Sequence, residues 1–242
     1  MPAAAGTLVE LHRWPVKSLG GEPLRSSHLD GRGLGGDRTH ALWFAFPGGE
    51  RPLTVREAPR MLLWGASYPP DAADDALDPA APPKPTVTAP DGRTFAWDDE
   101  ALPAALRVDL DKEIALRRDE RGQQDLRDTV LITTRASHAA LEAEMGQPVD
   151  LRRFRTNLHL DLDAPAYAEE GWQGRRLRVG EAELELLHPC LRCVIPTRNP
   201  DNAARWAELL RWIVRRHAGM FGINARPLGK ARIAVGDPVE LI

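Results

Sequence analysis

The stretch His188-Pro-Cys-Leu-Arg-Cys-Val-Ile-Pro-Thr197 holds the two cysteines of the chain, Cys190 and Cys193. A thiolate there is a soft ligand, suited to a soft or redox-active metal. Arg192 stands beside Cys193 and would favour the thiolate form. The pair follows a strand-like run and precedes a helical one. It therefore lies in a connection, where functional groups are commonly presented. Other readings stand beside this one. A single Cys-x-x-Cys supplies half of a four-ligand structural zinc site, and the sequence has no second pair. A thioredoxin-like dithiol usually opens a helix within a strand–helix unit, which is not the pattern here. From the pair alone, two buried structural cysteines are the simplest account, so other residues must decide.

Three further segments offer donors to an anion. Leu151-Arg-Arg-Phe-Arg-Thr-Asn157 reads as the start of an alternating strand, Arg153 to Leu162. On such a strand Arg153, Arg155 and Asn157 share one face, opposite Phe154, Thr156 and Leu158. Guanidinium groups there could grip a phosphate bidentately, and the alternative is a solvated outer face. In Trp14-Pro-Val-Lys-Ser18 a strand meets a turn, and Lys17 and Ser18 offer a point charge and a hydroxyl. Gly35-Gly-Asp-Arg38 permits close backbone approach, and Arg38 can reach a ligand or pair with Asp37. Taken alone, each is ordinary surface chemistry.

The elements that must position these residues are mostly strands. Leu8 to His12 alternates, Ala41 to Phe46 is an apolar run, and Arg176–Val179 and Ala182–Leu187 flank a Gly180-Glu181 turn. Arg232–Val235 and Val239–Ile242 bracket Gly236-Asp-Pro238. Short strands with this punctuation predict a barrel or folded sheet. Two helices are expected. Ser137 to Met145 stops at Gly146. Asp201 to His217 has Asn199 and Pro200 at its start and Gly219 at its stop. In the second, Trp206, Leu209, Leu210, Ile213 and Val214 form a core-facing stripe. Pro69 to Pro90 reads as loop, with a short ordered stretch at Pro85 to Thr88.

Composition narrows the function. At 242 residues, 43% hydrophobic and 28% charged, the chain can bury a sizeable core. A net charge of −3 argues against bulk nucleic-acid binding. No apolar run reaches the ~18–20 residues of a membrane span, and Met1 to Gly6 lacks the features of a signal peptide. A cytoplasmic protein is expected. The sequence carries no Walker-type loop, dinucleotide fingerprint or His-Glu-x-x-His.

Taken in order, the segments resemble the MOSC family with its N-terminal β-barrel domain. That family includes the mitochondrial amidoxime-reducing components and bacterial reductases of N-hydroxylated bases. Trp14-Pro-Val-Lys-Ser18 is similar to its Tyr-Pro-Val-Lys-Ser, and Gly36-Asp-Arg38 to its Asp-Arg before an aromatic strand. Thr54 to Arg60 is similar to Thr-x-Arg-x-x-Pro-Arg, Leu131 to Ser137 to Leu-Ile-x-Ser-x-Ala-Ser, and Phe154 to Asn157 to Phe-Arg-Pro-Asn. Cys190-Leu-Arg-Cys193 matches Cys-x-Arg-Cys. Phe221-Gly222 and Val235-Gly-Asp-Pro-Val239 match its closing motifs. Eight matches in one order are hard to reach by accident.

The resemblance implies a mixed α/β, mainly β fold. An N-terminal β-barrel-like region (1–100) would pack on a MOSC β-barrel (101–242) with a few peripheral helices, closing strands being shared. It implies that Cys193 is the catalytic thiolate and ligates molybdenum in a Mo-pyranopterin (molybdenum) cofactor. Lys17, Ser18, Arg38, Arg155 and Asn157 would hold the pterin and its phosphate. Thr134 and Ser137 would supply hydroxyls, and Arg192 would act through backbone or charge. The implied activity is reduction of small N-oxygenated substrates. Electrons would come from a separate ferredoxin, flavoprotein or cytochrome b5 type protein, because no cysteines remain for an iron–sulfur domain. The alternative is a non-catalytic cofactor carrier or sulfur-transfer module. The departures are Leu191 in place of a hydroxyl residue, a changed stretch Ile195 to Asn202, and a shortened region between Pro69 and Asp128.

Overall fold

Leucines spaced to fall on one side of short strands build a closed ring. The computed structural model describes residues 4–69, 83–119, 122–123 and 126–242. Seven strands form the ring: β1 (Ala5–Arg13), β2 (Val130–Thr134), β3 (Leu158–Leu162), β4 (Arg176–Val179), β5 (Ala182–Leu191), β6 (Met220–Pro227) and β7 (Pro238–Leu241). Their order is β3-β2-β6-β5-β4-β7-β1, and β1 pairs back onto β3. The β2–β3 pair is parallel and the other six are antiparallel. Leu8, Leu11, Ile132, Leu158, Leu160, Leu177, Leu184, Leu186 and Ile223 fill the interior. Each fully buried leucine contributes roughly 1.5–3 kcal/mol, so the filling holds the ring closed.

A second layer has its own core of Val16, Leu19, Leu42, Leu53, Met61, Trp64, Val87 and Phe95, with Leu102 and Leu106 of helix α1 (Ala101–Leu110). Two three-stranded sheets supply it, one centred on His40–Phe46 and one on Thr86–Thr88. The start of the chain does not belong to this layer. β1 is a barrel stave, and the strand Ser26–Asp30 pairs with Ala231–Ala234 near the C-terminus. Helices α2 (Arg135–Met145) and α3 (Ala207–His217) close a third cluster around Leu141, Phe154, Leu209, Ile213 and Phe221. Among the described residues, no helix is long and apolar enough to cross a membrane.

Several expected elements stand as read. The Gly180-Glu181 turn joins β4 and β5, α2 ends at Gly146 in a left-handed cap, and Thr86–Thr88 is the ordered stretch before Pro90. Residues 70–82 of the expected loop lie outside the described set. Two elements differ. Helix α3 begins at Ala207, not Asp201. The Asn199 and Asn202 side chains accept from Asp201 N and Ala204 N, capping a turn instead of the helix. It stops at Ala218, which takes the left-handed conformation one residue before Gly219. Second, Arg153 to Leu162 is not one strand. Residues Leu151–Phe154 make a 3-10 turn, capped by the Asp150 side chain accepting from Arg152 N. Pairing along β3 starts at Leu158.

Gly222 shows why one motif needs glycine. Its φ is +74°, and a Cβ would stand 2.6 Å from the Ile132 carbonyl oxygen. Any side chain would push β6 off β2.

Candidate functional site

At one rim of the barrel, the end of β1, the approach to β3 and the end of β5 converge on a cleft of about 420 Å³. That volume suits a small bound molecule. Lys17, Arg38, Arg56, Arg155 and Arg192 line it together with Ser18, Cys190 and Cys193, and among the described residues no carboxylate does. Of the residues expected to bind, Lys17, Ser18, Arg38, Arg155, Arg192 and Cys193 therefore meet in one place.

The backbone holds three of them in an uncommon conformation. Ser18 (φ +70°), Arg38 (φ +50°) and Arg155 (φ +55°) all lie in the left-handed region without being glycine. Strain of this kind collects at functional sites, where surrounding structure must enforce it. At Arg38 the enforcement is visible. Its amide donates to Trp14 O at 2.7 Å, and its guanidinium donates to Arg155 O at 2.9 Å and Asn157 Oδ1 at 3.2 Å. It also pairs with Asp37, whose other oxygen accepts from Trp14 N at 2.8 Å.

Arg155 is the deepest cation of the cleft, 6% exposed. Its Nη1 donates to Leu19 O at 2.6 Å, and its plane stacks on Trp14 at 4.3 Å. Burial, and then the Arg38 charge, pull its pKa down from 12.5 to about 9. An environment that disfavours this charge so strongly is short of negative charge. Arg192 donates to Phe154 O at 2.7 Å and to Cys190 Sγ at 3.1 Å. The sequence paired Arg192 with Cys193; its contact is with Cys190. Lys17 Nζ donates to Gln123 O at 2.7 Å.

Three buried polar atoms in this group lack a hydrogen-bond partner among the described residues: Ser18 Oγ, Arg155 Nη2 and Arg192 Nε. Buried polar groups are almost always satisfied. Three such unpartnered atoms around one cation-lined cleft can donate to an anionic or polar ligand with several acceptors. Cys193 is a free, exposed thiol on the same cleft. Among the described residues, no three His, Cys, Asp or Glu side chains converge as a metal site. A metal held by Cys193 must therefore bring most of its other ligands with it. A phosphate-bearing, sulfur-chelated metal group fits both halves of this donor set.

Three expected ligands do not reach the cleft. Asn157 is fully buried: its Oδ1 accepts from Leu131 N and Arg38, and its Nδ2 donates to His12 O. It braces Arg38 from behind. Thr134 and Ser137 are 3% and 0% exposed. Thr134 caps α2, accepting from Ser137 N at 3.2 Å, and both hydroxyls donate to Glu169 Oε2, at 3.3 and 2.7 Å. Their hydroxyls are consumed by the helix start and a buried carboxyl. Arg153 also turns away, since the 3-10 turn separates it from Arg155. It donates to Pro196 O and lies over Trp206.

Sequence reasoning missed other cleft residues: Thr54, Arg56, Leu126, Thr129, His188 and Asn224. Thr54 and Arg56 lie in a motif already noted, and His188 opens the cysteine stretch. Asn224 gives no local signal. Glu169 was missed too. Burial raises its pKa above 4.5, and its Oε1 has no partner.

Comparison with known proteins adds to this geometry. Residues 119–240 match the MOSC domain model, and residues 5–98 match the MOSC N-terminal beta barrel domain. Mitochondrial amidoxime reducing component 2 of Bos taurus is 24% identical over 284 aligned residues, covering 97% of this chain and 82% of that protein. Molybdenum cofactor sulfurase of Drosophila grimshawi is 31% identical over 121 residues, 46% of this chain and 15% of that protein. The crystal structure of the YUAD protein from Bacillus subtilis superposes with a TM-score of 0.52 at 14% identity, covering 99% and 97% of the two chains. That likeness shows the fold alone.

Proposed function

The chain belongs to the MOSC family, and from that premise we propose that its cleft binds a molybdenum cofactor and reduces small N-oxygenated compounds. One observation carries the reading. Three unsatisfied buried polar atoms and five cations surround an exposed thiol. A phosphate group would relieve the desolvation of Arg155 and give Ser18 and Arg192 their missing partner. Cys193 is the ligand this chain offers the metal, on the argument that a thiolate is a soft donor and that, of the two thiols on the cleft, Cys193 is exposed while Cys190 is held by Arg192. When bound, the cofactor supplies the two-electron chemistry of cleaving an N–O bond.

The chain's own residues bind and orient. Arg38, braced by Asp37 and Asn157, and Arg155, braced by Leu19 and Trp14, are preset before the ligand arrives. Preset donors lose little freedom on binding. Arg192 spans from Phe154 to Cys190 and fixes the peptide leading into Cys193. Electrons come from a separate redox protein of the ferredoxin, flavoprotein or cytochrome b5 class. The amidoxime-reducing relative supports an oxidoreductase.

The test is direct. Protein purified from a host able to make the cofactor should carry about one molybdenum and one pterin per chain, the one-to-one ratio set by its single candidate ligand thiol. It should reduce an N-hydroxylated amidine with an artificial electron donor. Metal-free protein from such a host sinks the proposal. A second reading, a cofactor carrier or sulfur-transfer module, is favoured by the exposure of Cys193 and by the sulfurase relative. A persulfide trapped on Cys193, with no reductase activity on any donor, would select it.

A further inference from the structure

One stretch of the cleft lining is built differently. It comes from the end of β5, where the ladder with β6 slips twice, between Leu186 and His188 and between Pro189 and Leu191. Such bulges bend a strand and re-aim its side chains, and they recur beside active sites. Here they accompany His188, Cys190 and Leu191 onto the cleft that Cys193 lines, with Asn224 of β6 opposite His188. The anion clamp uses neither His188 nor Asn224.

Two neighbours hold the Nδ1 edge of His188. Its Nδ1 lies 3.0 Å from the Pro189 carbonyl oxygen and 3.5 Å from the Asn224 side-chain nitrogen. The Asn224 amide donates to the His188 carbonyl at 3.3 Å. The exposed ring has no protein partner at Nε2 among the described residues. An imidazole tethered through Nδ1 exchanges its proton through Nε2.

We infer that His188 is the proton donor of the reduction, an assignment that rests on the reductase reading above. For a hydroxylamine-type substrate the balance is R–NHOH plus two electrons plus two protons, giving R–NH2 and water. The N–O bond breaks, and the electron pair comes from the reduced redox protein. His188 delivers one proton through Nε2 to the departing hydroxyl oxygen, which leaves as water. The second proton reaches nitrogen from solvent, and solvent recharges the exposed imidazole.

The experiment compares cofactor-loaded wild type, His188→Ala and His188→Gln. Four quantities are read: molybdenum and pterin content, calorimetric affinity of the unreduced protein for benzamidoxime, kcat with dithionite-reduced viologen, and kcat after adding free imidazole. Both variants should keep cofactor content and affinity while kcat falls about 100-fold, the low end for general acid catalysis. Imidazole should restore turnover to His188→Ala, because the vacated site is open to solvent. Undiminished kcat overturns the assignment. So does a loss that tracks cofactor content or that imidazole leaves untouched. A wild type that holds the cofactor and binds benzamidoxime yet reduces no N-hydroxylated compound overturns the reductase reading itself, and the assignment with it.

Discussion

Two polar clusters sit near the barrel, and they differ in one respect. In the cleft, Ser18, Arg155 and Arg192 each keep a buried polar atom without a partner. Beside α2, the Thr134 and Ser137 hydroxyls and the Tyr167 amide are joined in a set that ends on Glu169 Oε2, and its one unpartnered atom is the carboxyl Oε1. Both clusters are made of residue types that bind phosphate well elsewhere. Only the first leaves guanidinium donors over. Satisfied groups hold the fold, and unsatisfied buried groups of like charge act against it until something else completes them. The comparison therefore separates the proposed binding site from a structural device that the resemblance alone treats alike.

The largest effect should come from the thiol. Cys193→Ser should leave the fold intact and lower molybdenum content and turnover by at least about 100-fold, beyond the loss typical of an outer-layer contact. Cys190→Ser should be mild, since Cys190 touches Arg192 and not the proposed metal. Metal analysis of both variants checks this. If the two effects are reversed, the wrong thiol has been assigned, and the cleft half of the comparison needs redrawing.

Arg155 gives the next largest effect, with opposite signs in two measurements. Its pKa is lowered on folding, so the charged form is disfavoured in the native state. The resulting loss of stability is fully present at neutral pH and lifts only as pH rises from about 9 toward the unfolded value. Arg155→Met should therefore leave the cofactor-free protein as stable or stabilise it, by up to a few kcal/mol. It should also abolish the rise in Tm that inorganic phosphate gives wild type. Thermal melts with and without phosphate read both. A large destabilisation of Arg155→Met would show that the guanidinium is a structural strut like the α2 set.

The third variant tests the structural half. Ser137→Ala removes a hydroxyl that accepts from Tyr167 N and donates to Glu169. It should cost about 1–2 kcal/mol in denaturant unfolding, the range for a lost buried hydrogen bond and helix-start contact. Cofactor content should not change. A loss of cofactor with unchanged stability would move Ser137 back to the binding role that the resemblance implied.

The contrast also explains what could be read from the sequence. Turns announced themselves because their chemistry is local: Gly180-Glu181 and Gly146 stand where predicted. Anchoring motifs such as Lys17-Ser18 and Gly36-Asp-Arg38 were legible as residue types. Their conformation was not, because Ser18, Arg38 and Arg155 enter the left-handed region without the glycine that usually signals it. The alternation at 153–157 misled for a related reason. Its period matched a strand, but Asp150 caps a tight turn that turns Arg153 and Arg155 to different partners. Thr134 and Ser137 read as ligands because a helix-start motif and a binding motif use the same hydroxyls. Which role applies depends on Glu169, more than 30 residues away along the chain. The closing of β1 onto β3 and β7 is long-range as well, and no local pattern encodes it.

The smallest effect concerns Glu169 itself and sharpens the structural side further. Burial raises its pKa, outweighing the hydrogen bonds from Ser137 and Thr134 that lower it. A carboxyl whose folded pKa is raised contributes stability that is fully present below its unfolded value of 4.5. That contribution is lost as pH rises through the folded value. Glu169→Gln cannot ionise, so it is spared this loss. Its stability relative to wild type should be lowest at pH 4 and climb as pH rises above 4.5. The comparison is read from denaturant unfolding of both proteins across that range. The amide keeps an oxygen for the two hydroxyls, so the helix start should survive the change. A difference that instead falls as pH rises through 4.5 would mean that the carboxyl is ionised in the folded protein. The α2 set would then hold a buried anion, and its resemblance to a charged site would be more than formal.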